Sequence, residues 1–430
     1  MIGGGIAGLA SAHFLSAAGA HVTLFESADG FGGLGASFLY GDCNLDCFYH
    51  VILPSDTHLR GLAGALGMGE RMYWRESSLG FIYRRRLYPL KGPVDLLRFG
   101  GVPLLDRVRL GLTSLYASHL ARPDRLDDIT AEEWLTRLSG RRAFERLWRP
   151  LLVAKFGDAY RHVPALWYWA SFTREKGTGK EIKGSMRGGY SALTERLVST
   201  LRGRDAELRT GWEVDRLDVG ADGRPILEAG PMNRTFDRVV STVPLADLRR
   251  ICRQGACARA LQGVDAGIDY QGVVNVLVLL RRPLTRHYWI PVVESGVPFH
   301  GIVETTHVLE LAETGGHHLV YLLNYVHRTS PLFQMDPVQI RDEYVAALLD
   351  LFPDVSREDV TDAFVFKAPF VEPLYTPGYG SRKPPAELVP GRVFLATTTQ
   401  IYPQVTSWNS SIGLAESVVR EMSRAAAFYP

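Results

Sequence analysis

The chain is 430 residues long, 22% of them charged, with a formal net charge of +2 at pH 7. That length exceeds one simple core and points to two interleaved domains, while the balanced charge gives no case for a nucleic-acid binder. No uninterrupted apolar run reaches bilayer length and no signal-peptide architecture is visible, so a cytoplasmic protein is expected. The chain opens on Met1-Ile2-Gly3-Gly4-Gly5-Ile6-Ala7-Gly8, in which Gly3, Gly5 and Gly8 fit G-x-G-x-x-G. Ile6 to Ala18 reads as a helix, Val22 to Phe25 as a strand, and Glu26 ends that strand about twenty residues past the glycines, where a dinucleotide fold needs a carboxylate for the ribose hydroxyls. The glycines allow a tight turn, a close pyrophosphate and close helix packing, and the helix N-terminus offers free N–H groups. A carboxylate at 26 favours an unphosphorylated ribose, as in FAD or NAD. Only Met1 and Ile2 stand where the preceding, normally buried strand belongs, so either the sequence begins late or another segment fills that place.

Ser27 to Gly35 follows, with Gly32-Gly33-Leu34 letting a second loop approach the cofactor. Gly3 to Gly8, Glu26 and Gly32-Gly33 together resemble the N-terminal signature of FAD-dependent amine-oxidase and protoporphyrinogen-oxidase-like flavoproteins. That superfamily also includes phytoene desaturases and, more distantly, UDP-galactopyranose mutases. Phe48-Tyr49-His50-Val51-Ile52 resembles the segment that carries the chain past the flavin in these proteins.

Residues 53 to 185 read as a largely helical insertion, with helical spacing in Leu59 to Leu66 and Ala131 to Leu138. Thr130 and Glu133 form a capping box before the latter. Arg84-Arg85-Arg86 and then Val94 to Leu120, which mixes leucines with Arg98, Arg107 and Arg109, read either as a solvated face over an apolar core or as a basic amphipathic surface that meets a membrane or a lipid-like substrate. The aromatic block around Trp148, Phe156, Trp167, Tyr168 and Trp169 is either core or the lining of a pocket for a large substrate. Lys176 to Lys180 reads as a loop without the G-K-[ST] of a P-loop.

Arg187-Gly188-Gly189-Tyr190 leads into a helix from Ser191 to Leu201, and Trp212 to Leu217 reads as a strand. The resemblance implies that Val214 meets the adenine through its backbone, and that Phe236 to Pro244, with Thr242, lies above the dinucleotide. Tyr270 to Phe370 is β-rich, with strand-like runs at Gly272 to Leu280, Leu319 to Tyr325 and Ala363 to Phe366, and a helix at Gln339 to Phe352. Gly391 to Leu395 gives a strand, then a loop through Thr397, Thr398 and Thr399, then a helix from about Trp408 to Met422. In the resembling flavoproteins this helix points its N-terminus at the flavin pyrimidine ring, where its N–H groups stabilise negative charge. The acidic residue usual at the threonine position is absent here.

The fold expected is therefore α/β: a discontinuous Rossmann-type FAD-binding domain from residues 1–60, 186–245 and 386–430, with a mixed-sheet and helical substrate domain from 61–185 and 246–385. The resemblance assigns FAD contacts to Gly3, Gly5, Ile6, Ala7, Gly8, Glu26, Ser27, Gly33, Leu34, Val214, Thr242, Thr397, Thr398, Trp408, Ser411 and Ile412. Asn275 aligns with a strand lysine frequent in amine oxidases, which argues against simple amine oxidation and leaves dehydrogenation of a C–C, C–O or hindered C–N bond. Tyr49, His50, Asn275 and Tyr375 are the candidate catalytic residues, His50 as a base or hydrogen-bond donor. The expected activity is hydride transfer from a small-molecule substrate, large, apolar or anionic, to flavin N5. The alternatives are a redox-neutral mutase-like flavoenzyme or a protein that keeps the fold without catalysis. Cys43, Cys47, Cys252 and Cys257 lack C-x-x-C spacing and read as reduced structural residues, with a redox role for the first two as the lesser alternative.

Overall fold

A computed structural model describes the chain except residues 90–94, 96–102, 120–121, 175–180, 265–266, 293 and 429–430. The expected loop at Lys176 to Lys180, and Val94 and Arg98 of the basic segment, lie outside the described residues.

Small residues set the first packing. Helix α1, Ile6–Ala17, buries Ile6 and the run from Gly8 to His13. A β-carbon on Gly8 would stand 1.9 Å from the Gly3 carbonyl oxygen, so only glycine lets the helix approach this closely. Strands β1, Thr23–Phe25, and β2, Glu207–Arg209, pair in parallel, and so do β3, Val239–Ser241, and a strand at Val393–Leu395, which also pairs antiparallel with Glu387–Val389. Ile2 closes the gap between the two groups: its amide donates to Val240 O at 2.9 Å, the Thr242 amide donates to Ile2 O at 2.9 Å, and the Phe25 amide donates to Met1 O at 3.1 Å. Met1 and Ile2 thus occupy the central strand position. Helix α1 packs against Gly189–Arg202 and against the C-terminal helix Trp408–Phe428.

A second sheet of five strands carries the other half of the molecule. Its centre is β4, Asp269–Leu280, whose run of valines and leucines is buried throughout apart from Asp269. It pairs antiparallel with β5, His318–His327, and with β6, Val360–Leu374. On one face Val274, Val276, Val278 and Leu280 pack with Ile340, Tyr344 and Leu348 of the helix Pro337–Leu351; on the other, Val273, Leu277 and Leu279 pack toward Phe48 and Tyr49.

A helical group is formed by α2, Leu104–His119; α3, Ala131–Ser139; α4, Arg149–Phe156; and α5, Ala165–Arg174, with α4 packed on β5. Thr130 and Glu133 form both halves of the capping box that starts α3. Trp148 and Trp167 are buried among Phe144, Leu152 and Phe156, so these two form core. Two local expectations differ. Residues Met72–Glu76, Gly80–Tyr83 and Arg86–Pro89 are strands within the supposed helical insertion; their aromatic and branched residues find partners in Ile182–Met186 and in each other. The strand expected from Trp212 begins only at Arg216, because the Trp212 amide is turned to the Glu26 carbonyl instead, at 2.9 Å.

Candidate functional site

A cavity of about 620 Å³ runs from the glycine loop to the second sheet. At its first end stand Gly3, Gly5, Ile6 and Ala7. Gly5 precedes the first turn of α1 with no side-chain cap, and the first amides of a helix have no partner inside it. Beside them Glu26 Oε2 accepts from the Gly4 amide at 2.6 Å and Oε1 from the Ala28 amide at 2.9 Å. Ser27, Trp212 and Val214 complete this end.

The middle is formed by Gly33, Leu34, Thr242, Thr398, Trp408 and Ser411. Trp408 starts the C-terminal helix, and its ring is fixed from three sides. Tyr190 meets it edge-on at 4.5 Å between centroids, His50 at 6.0 Å, and a β-carbon on Gly35 would stand 2.0 Å from the ring.

The far end is made by residues from five segments. Tyr49 and Tyr325 share a hydroxyl contact of 3.3 Å. Lys155, from α4, lies 4.7 Å from the Tyr325 ring centroid and pairs with Glu372 Oε2 at 2.8 Å. Arg174, at the end of α5, donates to Asp56 at 3.1 Å. Burial drives the Tyr325 hydroxyl up to about 12, and that of Tyr49 well above its ordinary value, so both stay protonated donors. Burial works against the charge on Lys155, but the Glu372 carboxylate outweighs it and holds the amine above its ordinary range. Burial pushes His50 down to about 4. It is therefore neutral at pH 7, with a ring nitrogen that can accept a hydrogen. A smaller chamber of about 310 Å³ adjoins, sharing Tyr49, His50 and Tyr190 with the main cavity.

Five expected site residues lie behind the wall rather than on it. Gly8 is turned to the Gly3 carbonyl. Ile412 is packed in the core beside α1. The Thr397 hydroxyl is used inside its own turn, 2.6 Å from that of Thr399. Tyr375 donates to Thr398 O at 3.0 Å, its ring packed at a tilt against Tyr379 and Tyr402. Asn275 donates to Cys47 O at 2.7 Å. The last two are corrections to their expected catalytic place: each holds a lining segment from behind. Burial, reinforced by Asp46, raises the Cys47 thiol to about 11 and disfavours its reactive thiolate.

With this geometry in hand, comparison with known proteins decides the family. The profile of the family described as flavin containing amine oxidoreductase matches residues 6–406. The chain belongs to this family. Over 154 residues the chain is 27% identical to the 15-cis-phytoene desaturase of Narcissus pseudonarcissus, a match spanning 32% of this chain and 27% of that one. Its fold is similar to that of a protein proposed to be a protoporphyrinogen oxidase from Exiguobacterium sp. 255-15, with a TM-score of 0.79, 17% identity and 98% of each chain covered. It is also similar to cyclohexylamine oxidase from Brevibacterium oxydans IH-35A, with a TM-score of 0.74, 16% identity and 98% of each chain covered. At such identities the likeness to solved structures carries the α/β fold alone.

The family implies a flavin and an oxidoreductase activity, and the cavity fits such a group. Glu372 Oε1, on a lining residue, is a buried polar atom with no hydrogen-bond partner in the protein. Buried polar atoms require one, and a polar ring system or its substrate would supply it. The uncapped start of α1 matches phosphate chemistry in the same way. Lys155, Arg174 and Glu372 were not singled out as site residues from the sequence. They stand in a helical insertion and late in a strand, and no local pattern marks them.

Proposed function

We propose that the flavin is FAD and that the enzyme dehydrogenates an organic substrate held at the Lys155–Glu372 end of the cavity. The observation that carries this reading is the continuity of one cavity from Glu26, beside an uncapped helix start, to Glu372 on the second sheet. Glu26 would take the ribose hydroxyls, the amides of Gly5 to Ala7 the pyrophosphate, and the Val214 backbone the adenine. Trp408 and Ser411, at the start of the C-terminal helix, would face the pyrimidine side of the ring, where helix N–H groups favour negative charge. When bound, the flavin supplies the acceptor for the substrate's hydride.

The remaining work falls to the chain. Tyr49 and Tyr325 are both protonated and hydrogen-bonded to each other, so the hydroxyl that accepts in that contact keeps its own hydrogen to donate to the substrate. Glu372 keeps one oxygen on Lys155 and the other free, so Oε1 can hold the hydrogen of a substrate N–H or O–H group as the adjoining carbon gives up its hydride. Asn275 fixes the Cys47 carbonyl and so the path of Phe48 to His50 along the wall.

The test is spectroscopic. Freshly purified protein should show the flavin absorption bands, and the nucleotide released on denaturation should chromatograph as FAD. Anaerobic addition of a true substrate should bleach the spectrum without another reductant. Colourless protein that takes up no added FAD would defeat the reading. Turnover only after external reduction, with no net redox change, would favour a mutase-like enzyme instead.

A further inference from the structure

Helix α2 displays an apolar face to the outside. Leu105 is 83% exposed, Leu104 64%, Leu112 61%, Leu115 60%, Val108 48% and Tyr116 40%. At about 100° per residue these positions fall within an arc of about 120° on one side of the helix. Leu110, Thr113 and Ala117 occupy the opposite side and are buried against the aromatic core. The helix is therefore anchored by one face and spends the other in contact with water, at a cost that scales with apolar area.

The charges are arranged around that stripe. On the same wheel Arg109 lies just past one edge and Arg107 past the other. Arg109 is held by main-chain carbonyls, donating to Leu138 O at 2.8 Å. Asp106, the acidic residue of this helix, lies toward the buried side, with Oδ2 shielded from solvent. The hairpin bearing exposed Arg84 and Arg86 hangs from the same core cluster through Tyr83 and Tyr88. An apolar arc with arginine rims matches an anionic lipid surface, whose interior takes leucines and whose headgroups take guanidinium groups. A second copy of the chain would instead bring the arginine rims of two molecules together.

We propose that α2 seats the protein on anionic membrane surfaces, with Leu104 to Tyr116 in the interfacial layer and the arginines at headgroup level. Contact is peripheral: among the described residues no helix is long and apolar enough to cross a membrane. The seat lies close to the chemistry, because α2 packs on α5, whose last residue, Arg174, lines the cavity. The inference stands on surface geometry and holds whatever the substrate is.

Co-sedimentation of the full-length, flavin-loaded protein with vesicles decides it. Mixed phosphatidylcholine–phosphatidylglycerol vesicles should retain the protein, pure phosphatidylcholine vesicles much less, and added salt should release it. Leu105→Asp with Leu112→Asp should weaken retention roughly tenfold or more while leaving the flavin spectrum unchanged. Should that variant fail to fold, Leu112→Cys carrying a polarity-sensitive fluorophore gives a second reading: its emission should shift to the blue with anionic vesicles. No retention on anionic vesicles, retention equal in the folded double variant, or no emission shift would overturn the proposal. So would a dimer in sedimentation velocity that the double variant dissolves, since the stripe would then belong to a second copy.

Discussion

Glu26 accepts from the Gly4 and Ala28 amides while its carboxylate borders the cavity, so its charge shapes the glycine loop and faces the ligand together. Glu26→Gln should weaken FAD binding by about 10- to 100-fold, the range for losing a charge-assisted hydrogen bond, as read by fluorescence titration of protein stripped of flavin. Lys155 and Glu372 form a pair that is best judged by removing it in two ways. Lys155→Met leaves a buried carboxylate alone and should cost about 3 kcal/mol in urea unfolding, whereas Lys155→Met with Glu372→Leu should recover most of that loss. A loss that persists in the double variant would mean the lysine acts through something other than Glu372. His50 and Asp46 give opposed pH dependences. Burial lowers His50 from 6.5 to about 4, so the folded state resists the proton; the stability this confers is complete above pH 6.5 and is lost as pH falls toward 4. Burial raises Asp46 from 3.8 to about 7, so the folded state retains the proton; that stability is complete below 3.8 and is lost as pH rises toward 7. Where both titrate, each contributes a slope of about 1.4 kcal/mol per pH unit and the two oppose. Asp46→Asn should therefore make acidification between pH 6.5 and 4 more destabilising than in the wild type, and His50→Gln should do the reverse, in unfolding midpoints taken across that range. At this scale the sequence disclosed Glu26, Tyr49 and His50, which sit in or beside recognisable local motifs. It hid the environment that neutralises His50, because that comes from residues far along the chain.

Close packing separates elements that are easily confused in a sequence. Gly8, in the first turn of α1, and Gly35 both belong to glycine-rich stretches, yet they serve different contacts. At Gly8 a methyl group meets backbone that cannot move, so Gly8→Ala should abolish soluble expression or lower the melting temperature beyond the reach of added flavin. At Gly35 the obstacle is the Trp408 ring. Gly35→Ala should fold, displace that ring and reduce flavin content, which the ratio of flavin to protein absorbance would show. Element type was readable wherever pattern and capping agreed, as in the Thr130 capping box and in Gly272 to Leu280. It was misread at Trp212, where a hydrogen bond to Glu26 O overrides a strand-like composition, at Met72 to Glu76, where pairing with Ile182–Met186 decides the matter, and at Gly80 to Pro89, where two strands pair with each other. Asn275 shows the same limit: its strand was evident, but its partner Cys47 lies 228 residues away.

The cavity belongs to the molecule as a whole, since its walls come from residues spread between Ile2 and Ser411. A ligand that bridges such distant segments binds the folded chain and not the unfolded one, so free FAD at a hundred times its dissociation constant should add about 2.7 kcal/mol of stability. A melting temperature that does not respond to FAD would mean that the cavity is not its site. Molecular scale is also where β4 divides its labour by parity. Even-numbered positions 274 to 280 face the helix Pro337–Leu351, while odd-numbered positions face the segment that walls the cavity. Drift in one set is thus insulated from the other, and a lineage could retune which molecules it accepts through Val273 and its odd-numbered neighbours without reopening the question of how the chain folds.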